Sequence, residues 1–179
     1  MRAWRTCLWC GLCALTLLLA VASTVGAEPI RLAALTPPGG TAQDSAQSER
    51  ELDCLALNVY WEARSEPAAG QVAVAAVVLN RVADPAFPST VCDVVMQGAD
   101  HGLHRCQFSW HCDGRSDTPR NAAAWEKALM VARLVLSGGE DDPSGGALWY
   151  HADHVEPDWS RRLAMIARIG HHLFYRQRL

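Results

Sequence analysis

The sequence lacks an excess of basic residues. Its 179 residues contain 16 Lys and Arg against 19 Asp and Glu, which gives a formal net charge of −3 at pH 7. Without residues 1–27, where Arg2 and Arg5 are the charged residues, 14 basic and 19 acidic residues remain, a charge of −5. A nucleic-acid groove needs a surplus of Lys and Arg to neutralise phosphates. The sequence therefore argues against nucleic acid as a partner.

Several catalytic signatures are also absent. The sequence has no Gly-x-Ser-x-Gly motif, no phosphate-binding glycine loop and no His-Glu-x-x-His motif. These absences argue against a serine hydrolase with a nucleophile elbow, a phosphate-loop enzyme and a helical zinc peptidase.

Histidine and cysteine are concentrated in one segment, with a spacing that resembles that of zinc ligands. The cluster comprises His101, His104, Cys106, His111 and Cys112, with His151 and His154 as further candidates. An exported zinc hydrolase is therefore one alternative. In an oxidising compartment, however, cysteines favour disulfides over metal sites. We expect no metal and no other cofactor.

The N-terminus has the pattern of an export signal. Arg2 and Arg5 precede an uncharged apolar run over 7–25, and small residues lead to Ala27, after which cleavage is the preferred interpretation. The run is also long enough for an uncleaved membrane anchor. Because positive residues stay inside, both interpretations carry the remainder across the membrane. We expect a periplasmic protein, either released by cleavage or anchored to the inner membrane.

The exported part divides into a linker and one domain. Residues 28–47 are rich in Pro, Gly, Ala, Thr and Gln without apolar periodicity, which predicts a disordered linker. The folded domain is then expected over 48–179. Helical patterns come first and strand patterns last, which predicts an α+β fold with a helical core and a small β-hairpin portion.

The predicted elements follow from caps, breakers and periodicity. Ser48 and Glu51 form a capping-box pattern that begins the first helix, and Pro67 ends it near Arg64. The apolar run over 71–82 predicts a buried central helix. The remaining predicted elements are a short helix capped by Ser89 or Thr90, a β-hairpin arm or ordered loop over 106–110, a fourth helix capped by Asp117 or Thr118, a strand over 147–150, a helical turn over 159–163 and short strands over 166–175.

Four cysteines remain in the exported part: Cys54, Cys92, Cys106 and Cys112. An even number in an oxidising compartment predicts two disulfides. Four cysteines allow three pairings. We favour Cys106–Cys112 across the hairpin and Cys54–Cys92 between two helices.

Glu62 is the first candidate for chemistry. Leu52, Leu55, Val59 and Glu62 are spaced 3, 4 and 3 residues apart, which places them on one face of a helix. A carboxyl group that continues an apolar stripe is partly desolvated, and desolvation raises its pKa. A carboxylic acid that stays protonated near neutral pH can act as a general acid. The alternative is an exposed Glu in the last helical turn.

Aromatic and polar residues in the loops are the candidates for substrate binding. Aromatic side chains that line a cleft suit the apolar faces of sugar rings, while hydroxyls and amides fix the register. The alternative is that the aromatic residues belong to the core. The predicted binding residues are Gln107, Phe108, Ser109, Trp110, Tyr150, His151 and Trp159.

An ordered series of segments resembles the cell-wall hydrolase family of spore-cortex-lytic enzymes, which is SleB-like and also called the hydrolase-2 family. The series consists of residues 55–64 (LALNVYWEAR), 70–82 (GQVAVAAVVLNRV), 87–91 (FPSTV), 107–110 (QFSW) and 169–175 (IGHHLFY). The Cys-Gln-Phe-Ser-Trp-x-Cys segment looks like the Gram-negative branch. Ser65 departs from the Gly that family members often have there.

The resemblance implies a lysozyme-like, lytic-transglycosylase-like domain that acts on peptidoglycan, with Glu62 as the catalytic acid. It also implies that the muramic acid's own hydroxyl attacks and leaves a 1,6-anhydro end. A second catalytic carboxylate is not evident: Asp113 and Asp117 suit turn and cap positions, and Glu66 follows the helix end. The alternatives are a hydrolytic muramidase or glucosaminidase, a zinc amidase or peptidase, and a non-catalytic wall-binding module.

Overall fold

The computed structural model describes residues 41–178. The predicted signal peptide and residues 28–40 of the predicted linker lie outside the described residues. The elements are α1 (Ala42–Ala63), α2 (Ala68–Ala83), α3 (Val91–Val95), α4 (Ala122–Leu136), β1 (Trp149–Ala152), β2 (Ala164–Ile169) and β3 (His172–Arg176), with 3₁₀ turns at Ala99–His101, Ser109–Cys112 and Asp158–Arg162. Within residues 41–178, none of the helices is long and apolar enough to cross a membrane.

The first helix begins earlier than predicted. Thr41 and Asp44 form the capping box: the Thr41 hydroxyl accepts from the Asp44 N–H at 3.2 Å, and the Asp44 carboxylate accepts from the Thr41 N–H at 2.8 Å. The predicted cap at Ser48 is wrong, because the Ser48 hydroxyl instead donates to the carbonyl of Asp44 inside the helix. Residues 42–47, expected in the linker, are helical and exposed.

The second helix lies at the centre of the domain, as predicted. All residues from Gln71 to Val78 are buried, so the valines of this run pack as a helix that is covered on all sides. Leu55 and Val59 of α1 belong to the same core as Val78 of α2 and Val131 of α4. Together with Val94 and Val95 of α3, these residues show that all four helices contribute to the main core.

A three-stranded antiparallel sheet covers the other side of α2. Its strand order is β1-β3-β2, with Tyr150 opposite Phe174. Phe174 is fully buried and packs with Val74 and Val77 of α2. Because side chains alternate along a strand, Tyr150 and Phe174 face the helices while Tyr175 faces away. The predicted α+β organisation is confirmed.

Of the two alternatives for 106–110, the hairpin arm is wrong and the ordered loop is confirmed. Ser109–Cys112 forms a 3₁₀ turn, in which the His111 N–H donates to the carbonyl of Phe108 at 3.1 Å. Turn hydrogen bonds, rather than a strand ladder, therefore organise the segment that the Cys106–Cys112 disulfide closes. Both favoured disulfides, Cys106–Cys112 and Cys54–Cys92, are present.

The cap of α4 also differs from the prediction. Asn121, rather than Asp117 or Thr118, caps the helix, and its side-chain oxygen accepts from the Ala124 N–H at 2.9 Å. The hydroxyl of Tyr60 accepts from the backbone N–H groups of Asn121 and the residue before it, both at 3.1 Å. This contact with α1 holds the preceding segment outside the helix.

Candidate active site

Glu62 lies in the last turn of α1 and continues a buried face of that helix. Leu55 and Val59, which precede it on this face, are fully buried, while Glu62 is half-buried. Its Oε2 atom accepts a hydrogen bond from the hydroxyl of Tyr150 at 3.1 Å. The predicted position of Glu62 on the apolar stripe is therefore confirmed.

Burial raises the pKa of the Glu62 carboxyl above its usual value of 4.5. The Tyr150 hydrogen bond and the positive charge of Arg81 lower this pKa, but they only partly offset the desolvation. Burial and the nearby Glu62 charge raise the pKa of Tyr150 well above 10. Tyr150 therefore stays protonated and remains a donor to Glu62.

Removing the Tyr150 hydroxyl is expected to raise the pKa of Glu62 further. In Tyr150→Phe the carboxylate loses its hydrogen-bond donor while the desolvation remains, so the protonated form becomes more favourable. The measurement is an NMR titration of the Glu62 side-chain carboxyl. Tyr175→Phe is the matched control, because its hydroxyl binds His151 rather than Glu62. A lowered or unchanged Glu62 pKa in Tyr150→Phe would contradict this account.

Arg81 supplies a buried cation beside the acid. Its guanidinium lies between the rings of Phe87 and Phe108, 5.3 Å from each centroid, and Nε donates to the carbonyl of Leu148 at 2.8 Å. Burial lowers the pKa of Arg81 below its usual value, while the charge of Glu62 acts to raise it. Its Nη1 atom has no hydrogen-bond partner within residues 41–178. The Arg81 charge thus favours a carboxylate at Glu62 after proton transfer.

Asn58 lies one helical turn before Glu62 and is fully buried. Its side-chain oxygen accepts from the indole N–H of Trp110 at 3.3 Å. Trp110 in turn stacks on Trp61, with 6.4 Å between ring centroids. This chain of contacts fixes the Cys106–Cys112 ring against the α1 face that carries Glu62.

The structure brings part of the predicted binding set to this site. Tyr150 binds Glu62, Phe108 covers Arg81, and Trp110 binds Asn58. Gln107 and Ser109 are exposed on the same disulfide ring.

His151 and Trp159 lie elsewhere. His151 neighbours Tyr150 in β1 and therefore points to the opposite face of the sheet. There it stacks on Tyr175 at 5.1 Å and binds its hydroxyl through Nε2, while Trp159 packs edge-on at 5.5 Å from His151. His151 and Trp159 therefore face away from Glu62, and their role in substrate binding stays a prediction.

Glu66 is engaged in a structural contact. It is buried, and its Oε2 accepts from the backbone N–H of His171 at 2.9 Å in the turn between β2 and β3. Gly170 in this turn has φ +56°, and a Cβ there would overlap Glu66 Oε2. Glu66 therefore ties the α1–α2 loop to the sheet, and its carboxylate is not free for a second catalytic role.

Sequence reasoning missed Arg81 and Asn58 as parts of the site. A usable signal existed for both. Asn58 lies four residues before Glu62 on the same helix face, and Arg81 ends the apolar run of the central helix. A polar side chain in such an apolar setting needs a hydrogen-bond or charge partner when it is buried, so both residues indicate a polar site.

Members of the histidine and cysteine cluster make contacts other than those of a zinc site. Cys106 and Cys112 form a disulfide, and His111 lies 3.2 Å from the carboxylate of Asp117. Asp113 accepts from the Arg115 N–H at 2.8 Å, as a turn residue does. Within the part of the chain that the structure describes, no group of three or more His, Cys, Asp or Glu side chains is arranged to hold a metal ion.

Comparison with known proteins identifies the family. A family model described as Cell Wall Hydrolase matches residues 65–175, more than half of the chain. The chain belongs to the cell wall hydrolase family. The spore cortex-lytic enzyme of Bacillus cereus is 36% identical over 136 residues, which make up 75% of this chain and 48% of that protein. The chain thus spans about half the length of that relative.

Two solved structures share its fold. The catalytic domain of the Bacillus cereus SleB protein superposes with a TM-score of 0.55 and 32% identity, covering 78% of this chain and 94% of that one. The catalytic domain of the germination-specific lytic transglycosylase SleB from Bacillus anthracis gives the same TM-score and identity, covering 79% and 100%. The predicted lysozyme-like α+β fold is confirmed. The family-model match begins three residues after Glu62, so the assignment of this residue depends on its geometry.

Proposed function

We propose that this cell wall hydrolase cleaves the glycan strands of peptidoglycan as a lytic transglycosylase, with Glu62 as acid and then as base. The observation that carries the proposal is the setting of Glu62: a desolvated carboxyl that accepts from Tyr150 and lies within the field of a buried Arg81. Its similarity to a spore cortex-lytic enzyme and to a lytic transglycosylase supports the same reaction.

The first step is proton donation. Burial raises the pKa of Glu62 and so favours its protonated form, which donates its proton to the glycosidic oxygen as the bond from that oxygen to C1 of the muramic acid breaks. An oxocarbenium-like state forms at the sugar. The carboxylate left on Glu62 is stabilised by the Tyr150 hydroxyl and the Arg81 charge.

The second step is ring closure. The C6 hydroxyl of the same muramic acid attacks C1, and the Glu62 carboxylate takes the hydroxyl proton, which restores the acid and forms a 1,6-anhydro end. A hydroxyl held in the same sugar needs less activation than bulk water. One carboxylate therefore serves both steps, in agreement with the structural engagement of Glu66.

The proposed setting is the periplasm. Export by the N-terminal segment, with cleavage or with retention as a tether to the inner membrane, would bring the domain to its peptidoglycan substrate. The two disulfides within the described residues support an oxidising compartment.

Analysis of the products tests the proposed reaction. Purified sacculi incubated with the protein are expected to release soluble muropeptides with anhydro ends, identified by chromatography and mass spectrometry. Products with reducing ends would instead show that the protein is a hydrolytic muramidase or glucosaminidase. Activity that a chelator abolishes and Glu62→Gln retains would assign a zinc amidase or peptidase. Binding to sacculi without release would leave a wall-binding module.

A further inference from the structure

A pocket lies beside α1, on a different face of the helix from the one that carries Glu62. It has a volume of about 460 Å³, and its lining includes Tyr60, Trp61, Arg64, Arg115 and Arg120. The three arginines are exposed, so a ligand in the pocket can reach all of them. None of the contacts described for Glu62 uses this pocket.

The pocket has a surplus of positive charge. Within residues 41–178, Arg64, Arg115 and Arg120 form no salt bridge. Asn121, the N-cap of the 15-residue helix α4, also lines the pocket and places the positive end of the helix dipole there. Asp113 and Asp117 border the smaller neighbouring cavity, where the Asp113 carboxylate accepts from the Arg115 N–H and the Asp117 carboxylate lies 3.2 Å from His111.

The arginine geometry suits a planar anion. The guanidinium of Arg64 lies over the rings of Tyr60 and Trp61, 5.1 Å and 5.2 Å from their centroids. Stacking uses the face of the guanidinium and leaves the N–H groups at its edge free to bind a carboxylate in bidentate fashion. The partly exposed ring of Trp61 adds apolar surface for the carbon atoms next to that carboxylate.

We propose that this pocket binds the carboxylates of the peptide stems that branch from the glycan strand. The inference deepens the proposed function, on which it rests, by making peptide-bearing glycan the preferred substrate. Peptide stems carry free carboxylates, whereas the glycan backbone between them is largely neutral. The positive charge of the pocket therefore favours binding of the stem over the backbone. Trp61 connects the two regions: it lines the pocket and stacks on Trp110, which binds Asn58 in the Glu62 site.

The test compares two glycans that differ only in the carboxylates of their stems. One is a peptide-bearing glycan strand, and the other is the same strand after carbodiimide coupling of its stem carboxylates to excess methylamine, which converts them to neutral amides. In Arg115→Gln/Arg120→Gln, KM for the unmodified strand is expected to rise about tenfold, because two charge-assisted contacts are lost. Both kcat and the activity on the amidated strand should remain unchanged, which also shows that the variant is folded.

A matched control carries the same change in net charge. Arg50 and Arg176 are exposed, form no salt bridge in the described part of the chain, and lie outside the pocket. Arg50→Gln/Arg176→Gln should behave as the wild type on both strands. An equal loss on both strands in the pocket variant, or no loss on either, would overturn the proposal.

A binding measurement separates this proposal from the proposed function. The catalytically silent Glu62→Gln protein should bind a soluble muropeptide with an intact stem, and adding the two pocket substitutions should weaken that binding about tenfold. If the wild type cut neither strand, the proposed function would fail while this measurement still decided the pocket. Equal binding by the two proteins would overturn the pocket proposal alone.

Discussion

Glu62→Gln is expected to reduce the release of anhydro-muropeptides by at least about 10³-fold, because one residue serves as both acid and base. Gln cannot donate a proton to the glycosidic oxygen, and it cannot take one from the attacking hydroxyl. It can still accept the hydrogen bond of Tyr150, so the geometry of the site is preserved. The measurement is the initial rate of product release from sacculi.

Stability gives an independent control for that variant. Burial raises the pKa of Glu62 above 4.5, so the folded state binds this proton more tightly than the unfolded chain does. Ionisation therefore costs stability as the pH rises from 4.5 through the raised pKa of the folded state. Because Gln cannot ionise, the free energy of unfolding of Glu62→Gln at pH 7 should equal or exceed that of the wild type.

The comparison variant is Glu126→Gln. Glu126 is exposed on α4 and forms no salt bridge within residues 41–178, so its replacement removes the same charge without touching the site. It should retain wild-type release of muropeptides. Substantial release by Glu62→Gln, or unfolding of that variant at lower urea than the wild type, would contradict the assigned role.

Local periodicity was sufficient to find the acid and the central helix. The spacing of Leu55, Val59 and Glu62 depends only on the helical period, and the structure keeps all three on one face. The apolar run of α2 is likewise buried along its length. Both predictions depend on information within one turn or one element, which a sequence carries directly.

The partners of the acid could not be found in this way. Tyr150 follows Glu62 by 88 residues, and the pairing depends on how the sheet packs on the helices. The predicted strand ended at Tyr150, so nothing required His151 to face the other side. The observed β1 continues to Ala152, and adjacent residues in a strand point to opposite faces. The strand boundary therefore decided which predicted binding residues reach Glu62.

Of the two disulfides, Cys54–Cys92 is expected to contribute more to the free energy of unfolding of the protein. This bond joins residues separated by 38 positions, whereas Cys106 and Cys112 are separated by 6. The loop-closure estimate gives about 4 kcal/mol for the long loop and about 2 kcal/mol for the short one, because the longer loop constrains the unfolded chain more. Urea unfolding of Cys54→Ala/Cys92→Ala and Cys106→Ala/Cys112→Ala measures the difference.

The two variants should also differ in activity. Glu51 still accepts from the Val91 N–H at 2.6 Å, so α3 keeps an attachment to α1 when the buried Cys54–Cys92 bond is removed. The short ring instead positions Phe108 over Arg81 and Trp110 on Asn58, next to Glu62. We therefore expect Cys106→Ala/Cys112→Ala to lose less stability and more activity. With reductant added to all samples, the stability difference between the variants should disappear. A greater loss of stability from the short ring would show that contacts in the folded state, rather than constraint of the unfolded chain, determine what each disulfide contributes.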